Sequence, residues 1–213
     1  MNKGVVSVLV AYLIWGLYPF YFHAMQHVAP TEIVIHRVLW TFALLAVYLF
    51  CSRRWRWIQK AITDRRTVAV FLMSSVLITA NWSTYTYAIV TNQTLEASLG
   101  YFMNPLVSVL LGTVFLKEKL NKAQMLAIVV ACAGVMWVTF KQGEFPALGL
   151  TLALSFGFYG LVRKMAPLGS LEGLTLETAF VFPVALLATF YFAGNGDLTF
   201  VHGTSWDLSL IHI

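Results

Sequence analysis

Seven long apolar runs fill this chain, and its cations fall almost entirely in alternate gaps between them. The runs cover roughly 4–24, 31–51, 67–91, 94–116, 123–140, 146–165 and 172–193. Lys3 precedes the first. Arg53, Arg54, Arg56, Lys60, Arg65 and Arg66 separate the second from the third, Lys117, Lys119 and Lys122 the fourth from the fifth, and Arg163 and Lys164 close the sixth. Only Arg37 and Lys141 of the 14 Lys and Arg stand elsewhere. A run of about 20 apolar residues crosses a bilayer as a helix. Short loops rich in Lys and Arg stay on the cytoplasmic side. The pattern predicts a multi-span membrane protein with its N-terminus inside.

With 59% hydrophobic and 11% charged residues, the chain lies far from soluble domains, which carry about 25% charged residues. The net charge of +5 is explained by loop cations facing anionic headgroups. No basic stripe interleaves with exposed aromatics, so nucleic acid is not an expected partner. Cys51 and Cys132 suggest neither a disulfide nor a metal framework. The first run carries Trp15, Tyr18 and Pro19 without a small-residue cleavage pattern, so it reads as a span and not as a signal peptide.

Several local expectations follow. Thr31 is a candidate N-cap of span 2, with Glu32 in the first turn. The cationic, Trp-bearing stretch from Arg53 to Arg66 should lie at the headgroup level. Gly100, Ser108 and Gly112 on span 4 and Ala123, Ala127 and Ala131 on span 5 form small-residue stripes that let helices approach closely. Glu96 should favour the positive start of span 4. His23 and His27 lack a third ligand for a metal site.

Ionisable groups inside spans face a cavity or a partner. Glu32, His36 and Arg37 stand together on span 2, Glu32 near the outer interface, where water can reach it. On span 3, Ser74, Asn81, Tyr85 and Asn92 form one polar stripe, which either lines a water-accessible path or hydrogen-bonds to a neighbouring helix; the path is the reading preferred from sequence. On span 1, Trp15, Tyr18 and Phe22 share a face. Asn104-Pro105 lies mid-span, where proline frees a carbonyl and marks either a hinge or a static kink.

Shifting the chain by 141 residues aligns Leu9 with Leu150, Leu13 with Leu154, Trp15 with Phe156, Gly16 with Gly157 and Tyr18 with Tyr159. A repeat of five spans, an odd number, must place its second copy upside down, an arrangement recurrent in secondary transporters. The same shift pairs His36 with Glu177. Two such groups would either form a site across the pseudo-symmetry axis, able to carry a proton, or each bond locally.

Four stretches carry a resemblance to a known family. They are Trp15-Gly16-Leu17-Tyr18-Pro19; His36-Arg37; Asn104-Pro105-Leu106 followed by Gly112; and Leu116-Lys117-Glu118-Lys119-Leu120 with Gln124 and Gly134. Over about residues 1–200 the chain resembles the drug/metabolite transporter superfamily, specifically the RarD-type permeases of the EamA family. The resemblance implies an all-α integral membrane fold of ten spans in two inverted five-helix repeats, about seven of them present. Residues 1–140 would form the first repeat and 145–207 the start of the second. Leu208 to Ile213 resembles a translated sequencing adapter, so the gene is expected to continue beyond it.

The function so implied is secondary-active export of a small metabolite or drug, with chloramphenicol resistance suggested by the family's label, in a bacterial inner membrane. Trp15, Tyr18, Arg37, Asn81, Tyr85, Asn104 and Tyr159 are the expected substrate pathway, and His36 and Glu177 the expected proton-coupling pair. Partners would be a small-molecule substrate, the lipid bilayer, a proton as candidate coupling ion, and a second copy as candidate homodimer. No cofactor or metal is expected. Two other classes stand against this: a binding or assembly protein without a transport cycle, and an intramembrane enzyme. For the enzyme, the sequence offers no zinc pair, nucleophile elbow or phosphate cradle.

Overall fold

The computed structural model describes residues 3–53, 55–196 and 198, so the tail 208–213, part of 145–207 and Arg54 lie outside the described residues. Among the described residues eight helices follow in order: α1 Lys3–His23, α2 Pro30–Ser52, α3 Arg56–Thr63, α4 Arg65–Val90, α5 Thr94–Phe115, α6 Lys122–Gln142, α7 Ala147–Lys164 and α8 Ser170–Asn195. The seven apolar runs are the seven long helices. By length and apolarity six of these could cross a membrane, and α7 is the exception. It has 18 residues and ends on Arg163 and Lys164. It is also packed between α4 and α5.

Helix ends depart from expectation where proline competes. Ala29, and not Thr31, is the N-cap of α2, because Pro30 takes the first helical position, where its missing N–H costs nothing. Asp64 caps α4, accepting from the N–H groups of Arg66 and Thr67 and from the Thr67 hydroxyl. These bonds, the Thr67 hydroxyl first, hold the Asp64 carboxyl below its ordinary pKa. Asn121 and Gln124 form a reciprocal capping box at α6.

The stretch from Arg53 to Arg66, expected at the headgroup level, forms a short helix over Arg56–Thr63. This is the amphipathic α3, whose Trp57 and Ala61 pack against Phe71 of α4 and Leu176 and Phe180 of α8, leaving Arg56 and Lys60 exposed.

Helix directions can be read from contacts. Gly100 faces Gly149, and Val107 and Leu111 face Gly157, so α5 and α7 run parallel. A Cβ on Gly100 would stand 2.8 Å from the Gly149 carbonyl oxygen, which explains why this crossing takes glycine on both sides. Asn81 meets Leu152 while Phe71 meets Arg163, so α4 is antiparallel to α7. Phe42 meets Phe182 while Val38 meets Ala185, so α2 is antiparallel to α8. The alternation leaves one end of the bundle cation-rich, with α3, the α5–α6 loop and the end of α7, and the other cation-poor.

The two small-residue stripes differ. Gly100 makes the close crossing described above, whereas Ala123, Ala127 and Ala131 of α6 line an open apolar groove with Phe102 and Gly134. α6 and α1 sit at the periphery of the described bundle, and α1 rests chiefly on α4.

Candidate functional site

On α1, Tyr18, Tyr21 and Phe22 recur at helical spacing and turn one aromatic row toward α2 and α4. Phe22 is buried and meets the Tyr85 ring edge-on at 5.7 Å, and Tyr85 meets Tyr101 of α5 at 5.5 Å. On α2, Arg37 lies seven residues into the helix, ~10 Å from its start at 1.5 Å per residue. Its guanidinium stacks over the Trp82 ring of α4 at 4.2 Å and lies within electrostatic reach of the hydroxyls of Tyr18, Tyr21, Tyr85 and Tyr101. Between α1 and α2 opens a cavity of about 310 Å³, walled by these α1 aromatics, Ile14, Leu17, Ile33, Arg37, Trp40, Thr41 and Leu44. Among the described residues no carboxylate pairs with Arg37.

A second polar cluster sits at the cation-rich end. Glu177 of α8, 2% exposed, accepts from the Ser74 hydroxyl at 2.7 Å and from the Tyr159 hydroxyl at 3.3 Å. Arg163 Nε lies 3.7 Å from Glu177 Oε1, and Arg163 Nη2 donates to the Gly169 carbonyl at 3.2 Å. The Arg163 guanidinium also stacks over Phe71 at 5.2 Å. Gly173 leaves the space it occupies, since a Cβ there would collide with Nη1. The cluster ties α4, α7 and α8 together.

An EamA-like transporter family model matches residues 2–140. The chain belongs to the EamA-like transporter family. It is 42% identical over 188 residues to the transporter YojE of Bacillus subtilis, covering 87% of this chain and 63% of that protein. It is 40% identical over 194 residues to the protein RarD of Salmonella typhi, covering 91% of this chain and 66% of that protein. The chain thus spans a little under two thirds of the length of these relatives. No solved structure matches it.

Within this EamA-type bundle the residues singled out from sequence separate into groups. Tyr18 and Arg37 meet at the cavity, with Tyr85 behind them. Trp15 is turned aside, 52% exposed and edge-on to Tyr12. Asn81 does not point into the cavity: its amide donates to the Leu152 carbonyl and Ser155 hydroxyl, both at 3.1 Å. Ser74 bonds Glu177 of α8, and Asn92, in the turn after α4, accepts from Gln26 in the turn after α1, so these members of the span 3 stripe bond to neighbouring segments. Asn104 is buried on α5, its carbonyl without a hydrogen-bond partner among the described residues. Tyr159 and Glu177 are together, at the cation-rich end.

His36 and Glu177 are not brought together. His36 is buried near the cation-poor end. Val38 lies beside Ala185 on the antiparallel α8, which puts His36 about ten residues, ~15 Å, along the axis from Glu177. Glu32, read as water-accessible, is buried. Glu96 does more than favour its own helix start: its Oε2 accepts the Leu148 N–H in the first turn of α7 at 3.1 Å.

Sequence reasoning overlooked Arg163, Trp82 and Tyr101. From sequence Arg163 reads only as a loop cation, although Tyr159 and Arg163 at i, i+4 share a helix face. Nothing in the local pattern marks Trp82 or Tyr101, whose roles depend on α2, α4 and α5 meeting in register.

Proposed function

We propose that the chain works in a secondary-active permease exporting a small solute from a bacterial cell by alternating access, with the cation-rich end in the cytoplasm of an inner-membrane protein. In this reading residues 1–140 form one five-helix half and 145–207 open an inverted second half. The observation that carries it is Arg37, a cation well inside a membrane-spanning helix that lines a cavity. A charge at such depth is a functional site by default, because lipid offers it nothing. Tyr18 and Arg37 contact the solute, Tyr85 shapes the wall behind them, and Trp15 and Asn104 border the path in other states of the cycle.

Glu177 and His36 are the candidate proton carriers, acting at opposite ends of the path. Glu177 is held by Ser74, Tyr159 and Arg163, so its protonation would loosen the tie between α4, α7 and α8. Chloramphenicol, which the family's label suggests, is the first solute to try.

The test is solute flux into vesicles containing the full-length protein under an imposed pH gradient, with a metabolite panel beside chloramphenicol. Flux above protein-free vesicles, lost at least about tenfold in Arg37→Gln, is the expected result. Flux equal to empty vesicles across the panel would defeat the reading. His36→Gln and Glu177→Gln, with solute exchange measured as well as gradient-driven flux, report on coupling. A coupling residue loses the second and keeps the first; if both variants keep gradient-driven flux, neither carries the proton.

A further inference from the structure

We propose that the Arg37 cavity is an anion site, and that the cargo class it selects is a single-ring organic carboxylate; this rests on the permease reading above. Three features converge. Arg37 lacks a carboxylate partner among the described residues, whereas Arg163 has Glu177. A guanidinium presents a planar fork matched to a carboxylate, and bidentate pairing is strongest where water is scarce. The Tyr18 hydroxyl lies within its electrostatic reach, and such a group can donate to the same anion.

The rest of the wall argues for the ring. The α1 side presents Tyr18, Tyr21 and Phe22, faces on which an aromatic body can lie. About 310 Å³ is at the small end of ligand cavities, enough for one ring with a short acid-bearing chain. An aromatic cage of this kind would otherwise suit a cation. Here the Trp82 face is already covered by Arg37 at 4.2 Å, and the guanidinium repels a second positive charge. The repeat supplies no second cation either, since the 141-residue shift places Thr178 opposite Arg37. One positive charge therefore faces one negative charge.

The experiment is equilibrium binding of radiolabelled phenylacetate, benzoate and indole-3-acetate to the full-length protein in phosphatidylcholine nanodiscs, with no gradient present. The neutral phenylacetamide serves as competitor. Saturable binding of at least one acid is expected, with the amide competing at least tenfold more weakly than phenylacetate. Arg37→Gln should erase that discrimination and Arg37→Lys should keep part of it, because a point charge still attracts the anion. The acid-to-amide ratio in the unaltered protein decides the matter even if the variants fail to fold.

Equal affinity for acid and amide, no binding of any of the three acids, or a preference that survives Arg37→Gln overturns the proposal. So does loss of phenylacetate binding when phosphatidylglycerol replaces part of the phosphatidylcholine, because the charge would then belong to a lipid headgroup. Anion preference without flux defeats only the permease reading. Flux of neutral solutes without anion preference defeats only this one.

Discussion

Arg37 on α2 and Arg163 on α7 have opposite surroundings. Both guanidiniums stack on an aromatic ring of α4, Arg37 on Trp82 and Arg163 on Phe71. Arg163 then finds a buried carboxylate, Glu177, and the Gly169 carbonyl. Arg37 finds tyrosines and a cavity. A cation whose counter-charge is built into the fold fastens helices. In the reading proposed above, a cation without one among the described residues is arranged for a charge that arrives and leaves. What lies beyond each aromatic ring distinguishes the tie at Arg163 from the binding group proposed at Arg37.

The largest expected effect comes from cutting the tie. Glu177→Ala leaves Arg163 without its counter-charge and Ser74 and Tyr159 without their acceptor. Breaking a buried pair by removing one partner costs about 3–5 kcal/mol. Arg163 keeps 16% side-chain exposure and can regain some hydration, so ~2–3 kcal/mol is the expectation. Thermal unfolding of the detergent-solubilised protein should show it as a lower midpoint. Adding Arg163→Leu to Glu177→Ala should restore most of the loss. A Glu177→Ala protein as stable as the parent would mean that the cluster is no tie, and the contrast between the arginines would fail.

What the sequence disclosed follows the same division. Run lengths and alternating cations were enough for the order of the seven long helices, though not for α3, and for the two unlike ends, because both are properties of one helix at a time. Which faces meet was not legible. Asn81 looked like a path-lining residue because a stripe shows only direction around its own axis; α7 happens to occupy that direction. The pairing of His36 with Glu177 by the 141-residue shift fails to bring them together for a clearer reason. If the repeat is inverted, equivalent residues away from the midplane lie at opposite ends of the bundle. Arg163 escaped notice because the end of a helix is also where loop cations belong. Only its packing against Gly173 and Glu177 distinguishes the two.

Gly173→Ala probes the tie from the other side, with a smaller effect. The added Cβ would collide with the Arg163 guanidinium, the far end of a side chain that can swing away only by leaving Glu177. Alanine is worth about 1 kcal/mol over glycine within a helix, which offsets part of that loss. Overpacking costs about 1–3 kcal/mol, so a net destabilisation of ~1 kcal/mol is expected. In an Arg163→Ala background the collision is gone and the same substitution should stabilise by about 1 kcal/mol. A reversal of sign between backgrounds, read from unfolding midpoints, would sharpen the assignment. The same sign in both would place the tie elsewhere.

The smallest effect on stability should come from Arg37→Gln. Its stacking on Trp82 is worth about 0.5–1 kcal/mol at exposed sites and about 2 or more when desolvated. Opposing that, keeping an unpaired charge within a spanning helix costs about 2.5–3.5 kcal/mol on insertion scales. Glutamine removes both terms, so the unfolding midpoint should stay level or rise, while flux and anion preference fall. That split, function lost with stability kept, is the signature of a charge held for a ligand. If Arg37→Gln instead destabilises as much as Glu177→Ala, a permanent partner holds Arg37 in the full-length protein. The two arginines would then be the same device at opposite ends of the bundle.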